Sequence, residues 1–208
     1  MERLNIGIDL DGVIANSAPV ILDLICAHFR PGFSFKERGL ALDGRVSELG
    51  VSVEELLEYV AQLWTQKEFH QQIKPVRGAL KGIHALCDKG YGIHVLSHRP
   101  ETVKSQFDVR NLSYSWLCEN GFGHYLTSLI LNPDHLDRNF KVRKAKDLNL
   151  DIYVEDEVDE AEKFAEAEIK VVFFDPDSKR VSLSGEVVIA NSWQQIVCQI
   201  EKFSQTAV

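Results

Sequence analysis

The chain has 208 residues, 45% hydrophobic and 26% charged, with a formal net charge of -8. That length supports a full core plus a small appended module, so one main domain with an insert is expected. The acidic balance and the lack of clustered Lys and Arg exclude a nucleic-acid polymer as partner, whereas small phosphate esters, which a few local groups can hold, stay open. Cys26, Cys87, Cys118 and Cys198 are widely spaced, form no Cys-x-x-Cys pair and sit among apolar neighbours in helix-like stretches. They are expected to be reduced, buried and structural. The first residues run into a strand without a basic segment followed by an apolar one, and no apolar run reaches membrane-spanning length. A cytoplasmic protein with no membrane partner is the expectation.

The first strand carries Leu4, Ile6 and Ile8 and ends at Asp9-Leu10-Asp11-Gly12. Residues two apart on an extended chain face the same way, so Asp9 and Asp11 should project together where the strand opens into a loop. Two neighbouring carboxylates in an apolar setting need a compensating cation or proton, and a divalent metal is the simplest. A solvated Asp/Gly turn is the plainer alternative. Ser17 offers a cap for a helix over Pro19 to Arg30, which Pro31-Gly32 stops. From Phe33 to Ile73 the pattern stays helical, with Ser52 to Glu55 as a capping box before Leu56, Leu57, Val60, Leu63 and Trp64. Residues 17–74 therefore read as a helical insert between the two parts of a core formed by 1–16 and 75–208.

Pro75 to Gly78 opens a helix that Lys89-Gly90 ends, and the apolar strand Tyr91 to Leu96 gives way to Ser97-His98-Arg99-Pro100, where Pro100 forces a break. Short helices are expected over Glu101 to Phe107 and Ser113 to Glu119, then a strand over Leu126 to Leu131 and a basic helix over Lys141 to Leu148. The strand Asp151 to Val154 runs into Glu155-Asp156, and a charged helix follows over Glu157 to Glu168. Strands over Ile169 to Phe174 and Val187 to Ala190 precede a last helix capped by Ser192 and carrying Trp193, Ile196, Ile200 and Phe203 on one stripe. Alternating strands and helices argue for an α/β fold with a parallel sheet covered on both faces.

All carboxyl ends of such a sheet lie on one edge, so Asp9, Asp11, Ser97, Glu155 and Asp156 should share a crevice that Lys141 can reach. Plainer roles exist for each. Ser97 suits a helix cap, Lys144 and Lys146 compete with Lys141, Glu155 and Asp156 suit the first turn of a helix, and Trp64 suits the core of the insert.

These residues resemble the haloacid dehalogenase-like phosphatases, whose motifs run Asp-x-Asp-Gly, then Ser or Thr after a second strand, then Lys, then an acidic pair. Here they are Asp9 to Gly12, Ser97, Lys141 and Glu155-Asp156. The insert position, Pro75-x-x-Gly78-Ala79 and Ser192-Trp193 resemble most the deoxyribonucleotidase-type group, although Glu155 replaces that group's usual first aspartate. The resemblance implies a Rossmannoid three-layer fold and an insert that acts as a cap closing over the substrate. Asp9 would be the nucleophile, Asp11 the general acid and base, and Ser97 and Lys141 the holders of the phosphoryl oxygens, with His98 near substrate. Mg²⁺ would be bound by Asp9, the Asp11 carbonyl and Asp156 with support from Glu155. The expected activity is Mg²⁺-dependent hydrolysis of a small phosphorylated metabolite, a nucleoside monophosphate first, through an aspartyl-phosphate. The alternatives are a sugar or other metabolite phosphate, or a catalytically weak binding module. A dehalogenase would leave the proton of Asp11 without a leaving alkoxide to receive it.

Overall fold

The structure, a computed structural model, describes residues 4–33, 46–100, 108–133, 137–178, 183 and 185–206. The chain runs β1 (Asn5–Asp9), β2 (Ala15–Asn16), α1 (Ala18–Phe29), α2 (Val46–Leu49), α3 (Val53–Leu63), α4 (Lys67–Gln72), β3 (Lys74–Pro75), α5 (Ala79–Asp88) and β4 (Gly92–Pro100). It continues through α6 (Val109–Glu119), a 3₁₀ turn, β5 (Ser128–Asn132), α7 (Phe140–Asp147), β6 (Ile152–Glu155), α8 (Val158–Glu166), β7 (Lys170–Phe174), β8 (Val187–Ala190) and α9 (Trp193–Thr206). Six strands form one parallel sheet in the order β5-β4-β1-β6-β7-β8. The chain thus builds outward from β1 through β4 to β5, then returns to lay β6 on the other flank of β1. The reversal puts a crevice at the carboxyl ends of β1 and β6.

Alternation along the strands sorts the core into two layers. Ile6 and Ile8 of β1, with Ile93, Val95, Ile152 and Val154, face Ile83 and Leu86 of α5 and Trp193, Ile196 and Ile200 of α9. Tyr153, Leu96, Val171 and Phe173 face the other way, against Ala145 of α7 and Ala161 and Phe164 of α8. Tyr153 stacks on Phe164 with centroids 3.8 Å apart and donates its hydroxyl to the Leu96 carbonyl. Its ring lies over Gly7, where a Cβ would come 2.3 Å from Cδ2. Gly7→Ala is therefore expected to cost about 1–3 kcal/mol through overpacking, read as a lower urea midpoint at unchanged m-value. An unchanged midpoint would mean that the ring yields without cost.

A two-stranded antiparallel ribbon pairs Ala15 with Pro75 and Asn16 with Lys74, and between its strands lie α1 to α4. Neither strand was expected, because two residues are too few to show an alternating pattern. The capping box is present: Ser52 Oγ accepts from the Glu55 amide, and Glu55 Oε2 accepts from the Ser52 amide. Tyr59 of α3 stacks on His28 of α1 and donates to the Leu24 carbonyl, which fixes α3 against α1. Leu56, Leu63, Trp64, Phe69 and Ile73 join the same apolar cluster as Ile6 and Ile8.

Four expectations are corrected. Ser17 sits at the cap position of α1, but its side chain makes no capping bond and its Oγ is buried without a partner. Its backbone is already helical, and Pro19 offers no amide hydrogen to receive. Cys26 is buried and Cys87 half-buried, but Cys118 and Cys198 are exposed. The strand expected to stop near Leu96 extends to Pro100 through a bulge in which Ser97 pairs with Leu131 and Pro100 with Asn132. The α6 helix begins at Val109, earlier than Ser113, because Asp108 caps it by accepting from the Arg110 and Asn111 amides. The helix expected over 101–107 lies outside the described residues. Among the described residues no helix is long and apolar enough to cross a membrane.

Candidate active site

Asp9 ends β1 in register with Leu96, and Glu155 ends β6, so the strand pairing alone brings their carboxylates to the same edge. Lys141 enters from the first turn of α7, between them. Its Nζ lies 2.7 Å from Asp9 Oδ1 and 2.9 Å from Glu155 Oε2, and all three residues are buried. Glu155 is also engaged by the backbone, since its Oε1 accepts from the amides of Asp156 and Glu157. Lys144 pairs with Asp147 on the surface, away from this cluster.

Burial pushes the Asp9 carboxyl up to about 7; Lys141 pulls it down, but Glu155 and Asp11 add to the rise. Asp156 is likewise held well above the usual carboxylate range by burial and by Glu155 and Asp9. Burial opposes the charge on Lys141, yet Asp9 and Glu155 together hold its ammonium well above the ordinary lysine value.

Gly12 follows Asp11 with φ +85°, and a Cβ there would lie 1.9 Å from Asp156 Oδ2. Glycine is required twice over, for the left-handed backbone and for the close approach of the acidic loop. Beyond it the chain winds back: the Gly12 amide donates to the Ala15 carbonyl and the Ile14 and Ala15 amides to the Leu10 carbonyl. Trp193 clamps this turn from α9, donating Nε1–H to the Val13 carbonyl at 2.8 Å while its ring covers Gly82.

Oxygens of Asp9, Glu155 and Asp156 lie within 4.8 Å of one another, and Asp156 Oδ1 is buried without a hydrogen-bond partner among the described residues. Hard carboxylate oxygens, an unpaired acceptor and four acids that among the described residues face only Lys141 and Arg99 suit a divalent cation such as Mg²⁺.

Asp11 stands apart from that triad. Its carboxylate takes a two-pronged contact from Arg99, with Nε to Oδ2 at 2.7 Å and Nη2 to Oδ1 at 2.6 Å. Ser97 Oγ lies 3.4 Å from Asp11 Oδ2 and accepts from the Arg99 amide, so Ser97 is occupied here rather than serving as a helix cap. Arg99 also donates to Ser113 Oγ and lies 4.0 Å beneath the ring of Trp64. His70 donates Nε2–H to the Trp64 carbonyl; burial and the Arg99 charge push its pKa down to about 4, so the ring is neutral and its buried Nδ1 is a bare acceptor without a partner. His98 is turned the other way. Its Nε2 lies 3.3 Å from Glu160 and its Nδ1 meets Asn132, which places it beside α8 and not with Asp11. Of the two neighbours expected as loop residues close to substrate, Arg99 shares the Ser97 side and reaches Asp11, while His98 faces Glu160 and Asn132.

No model of a known protein family matches the chain. A curated nucleotidase of Clostridium acetobutylicum is 26% identical over 196 residues, covering 94% of this chain and 93% of that protein. Among solved structures, a predicted phosphatase from Clostridium acetobutylicum superposes with a TM-score of 0.70 at 13% identity, covering 97% of this chain and 100% of that one. A haloacid dehalogenase-like hydrolase from Streptococcus pneumoniae gives 0.70 at 12% identity, over 95% of this chain and 98% of that one. A haloacid dehalogenase family hydrolase from Deinococcus radiodurans, with bound phosphate and sodium, gives 0.63 at 12% identity, over 97% and 96%. Sheet order and these full-length superpositions together show that the chain has the fold of the haloacid dehalogenase-like hydrolases.

Proposed function

We propose that the protein is a Mg²⁺-dependent phosphatase for a small phosphomonoester, with a nucleoside monophosphate as the preferred substrate. The observation that carries the reading is the meeting of Asp9, Lys141, Glu155 and Asp156 at one sheet edge, with Asp11 two residues beyond the nucleophile. The name of the 26% identical relative, a nucleotidase, supports the choice of substrate class.

Asp9 attacks phosphorus through a carboxylate oxygen while the bond to the leaving oxygen breaks, giving an aspartyl-phosphate on Asp9 and dividing one hard displacement into two. Asp11 gives its proton to the departing oxygen. It then takes one from the water that attacks the aspartyl-phosphate, releasing phosphate and restoring Asp9. Lys141, against Asp9, would keep positive charge beside the phosphoryl oxygens, and Ser97, next to Asp11, would donate its hydroxyl to them. Mg²⁺ held by Asp9, the Asp11 carbonyl and Asp156, with Glu155 behind them, would neutralise phosphoryl charge and orient the ester. The helices between β2 and β3 act as the cap, excluding water from the crevice.

Phosphate release from a panel of nucleoside monophosphates and sugar phosphates, with Mg²⁺ and with chelator, tests the reading. The expected result is metal-dependent release, fastest on a nucleotide. A sugar phosphate turned over much faster than every nucleotide overturns the substrate class, and no release across the panel overturns the activity.

A further inference from the structure

Asp11 lies past the end of β1 on a loop, and nothing in that loop's own backbone fixes the plane of its carboxylate. The guanidinium of Arg99 does. Its planar fork meets both oxygens, and its remaining donor Nη1 is held by Ser113 Oγ of α6 at 3.0 Å. A carboxylate offers about four acceptor positions. Among the described residues, Oδ2 is filled by Arg99 Nε and Ser97 Oγ, while Oδ1 takes only Arg99 Nη2, so the open position is on Oδ1.

Arg99 is itself fixed from the other side. It is 3% exposed, and the ring of Trp64, at the end of α3, covers it. Trp64 is held by the His70 bond to its carbonyl and by edge contact with Phe69 of α4. A continuous set of contacts thus runs from α4 through Trp64 and Arg99 to Asp11, joining the inserted helices to the acid.

We propose that Arg99 is the positioning residue that aims Asp11 Oδ1 at the leaving oxygen, and that Trp64 transmits the placement of the inserted helices to it. The inference rests on the phosphatase reading and adds to it a residue outside the four motifs. The step it serves is the first one: the proton on Oδ1 passes to the ester oxygen as that oxygen leaves phosphorus and the Asp9–phosphorus bond forms. An arginine here acts through the direction of another group, so its effect should scale with how badly the leaving oxygen needs a proton.

The test compares kcat/KM, which covers steps through formation of the aspartyl-phosphate, for p-nitrophenyl phosphate, phenyl phosphate and an alkyl phosphate. General acid help is worth roughly 10²–10⁴-fold for a basic leaving oxygen and little for p-nitrophenolate. Arg99→Met is expected to lower kcat/KM on the alkyl ester by about 10²-fold or more and on p-nitrophenyl phosphate by less than about 5-fold, following the pattern of Asp11→Asn. Arg99→Lys keeps the charge without the fork and should show the same slope; it carries the test if Arg99→Met fails to fold, as judged by circular dichroism. Trp64→Leu should show a weaker version of that slope. Equal losses across the three esters in the folded Arg99 variants, or a wild-type-like slope, would overturn the inference and leave the phosphatase reading intact. No hydrolysis by the wild-type protein of these esters or of any nucleoside monophosphate or sugar phosphate overturns both.

Discussion

Asp9→Asn is expected to abolish phosphate release, by on the order of 10⁴-fold or more, while leaving the fold in place. Asn keeps the shape of Asp and a carbonyl oxygen that accepts from Lys141 Nζ, 2.7 Å away, but that oxygen is no nucleophile. Folding should survive because burial already disfavours the charged form of Asp9, whose pKa is pushed up to about 7. The sign follows. A carboxyl whose folded value exceeds its unfolded one holds a proton in the native state that the unfolded chain has lost, so in metal-free protein its contribution to stability falls as pH rises from about 4 through 7. Asp9→Asn removes that decline, and the variant should equal or exceed the wild type in urea midpoint at pH 8 with chelator. Mg²⁺ is expected to raise the Tm of the wild type, and the variant should lose most of that rise, as it lacks one of three clustered carboxylates. Retained turnover would remove Asp9 from the role of nucleophile.

Lys141→Met should be the most destabilising single change in the site. Among the described residues its ammonium is the one cation in contact with both Asp9 and Glu155, and Glu155 is wholly buried. Removing one partner of a buried ion pair leaves uncompensated charge and costs about 3–5 kcal/mol. Both carboxyls have raised values because of burial, so protonating them relieves the penalty. The loss relative to wild type should therefore be larger at pH 8 than at pH 5, and Mg²⁺ should recover part of it. Urea melts at the two pH values, with chelator and with Mg²⁺, measure both. Lys144→Met, on the surface beside Asp147, should stay within about 0.5 kcal/mol of wild type. Equal effects of the two substitutions would refute the central place given to Lys141.

Much of the site was visible in the sequence because its residues follow apolar strands directly. Asp9 after Ile6 and Ile8, and Glu155 after Ile152 and Val154, are read from a run of buried residues that ends in acid. A parallel sheet then has no choice but to bring those ends together. The end of β4 was less legible, because the strand runs past Leu96 to Pro100. Three steps along β4, from Ser97 to Pro100, match one step along β5, from Leu131 to Asn132. Period two carried on from Ser97 puts Arg99 on the Ser97 side and His98 on the other, as the contacts have it, but a strand taken to stop near Leu96 gives neither residue a side. Ser17 and the exposed Cys118 and Cys198 illustrate a second limit: residue type suggests a role, while neighbours decide whether it is filled.

By itself the sequence determined the alternation of strands and helices, the two-sided core and the four polar strand ends, because these depend on local period and on the direction of the chain. Only the tertiary structure decided that Lys141, and not Lys144, lies between Asp9 and Glu155, that Arg99 holds Asp11 beneath Trp64, and that two short strands fasten the inserted helices to the core. Those contacts join residues far apart in the chain, such as Asp11 and Arg99, and a contact across such a span leaves no periodic mark on the segments that make it.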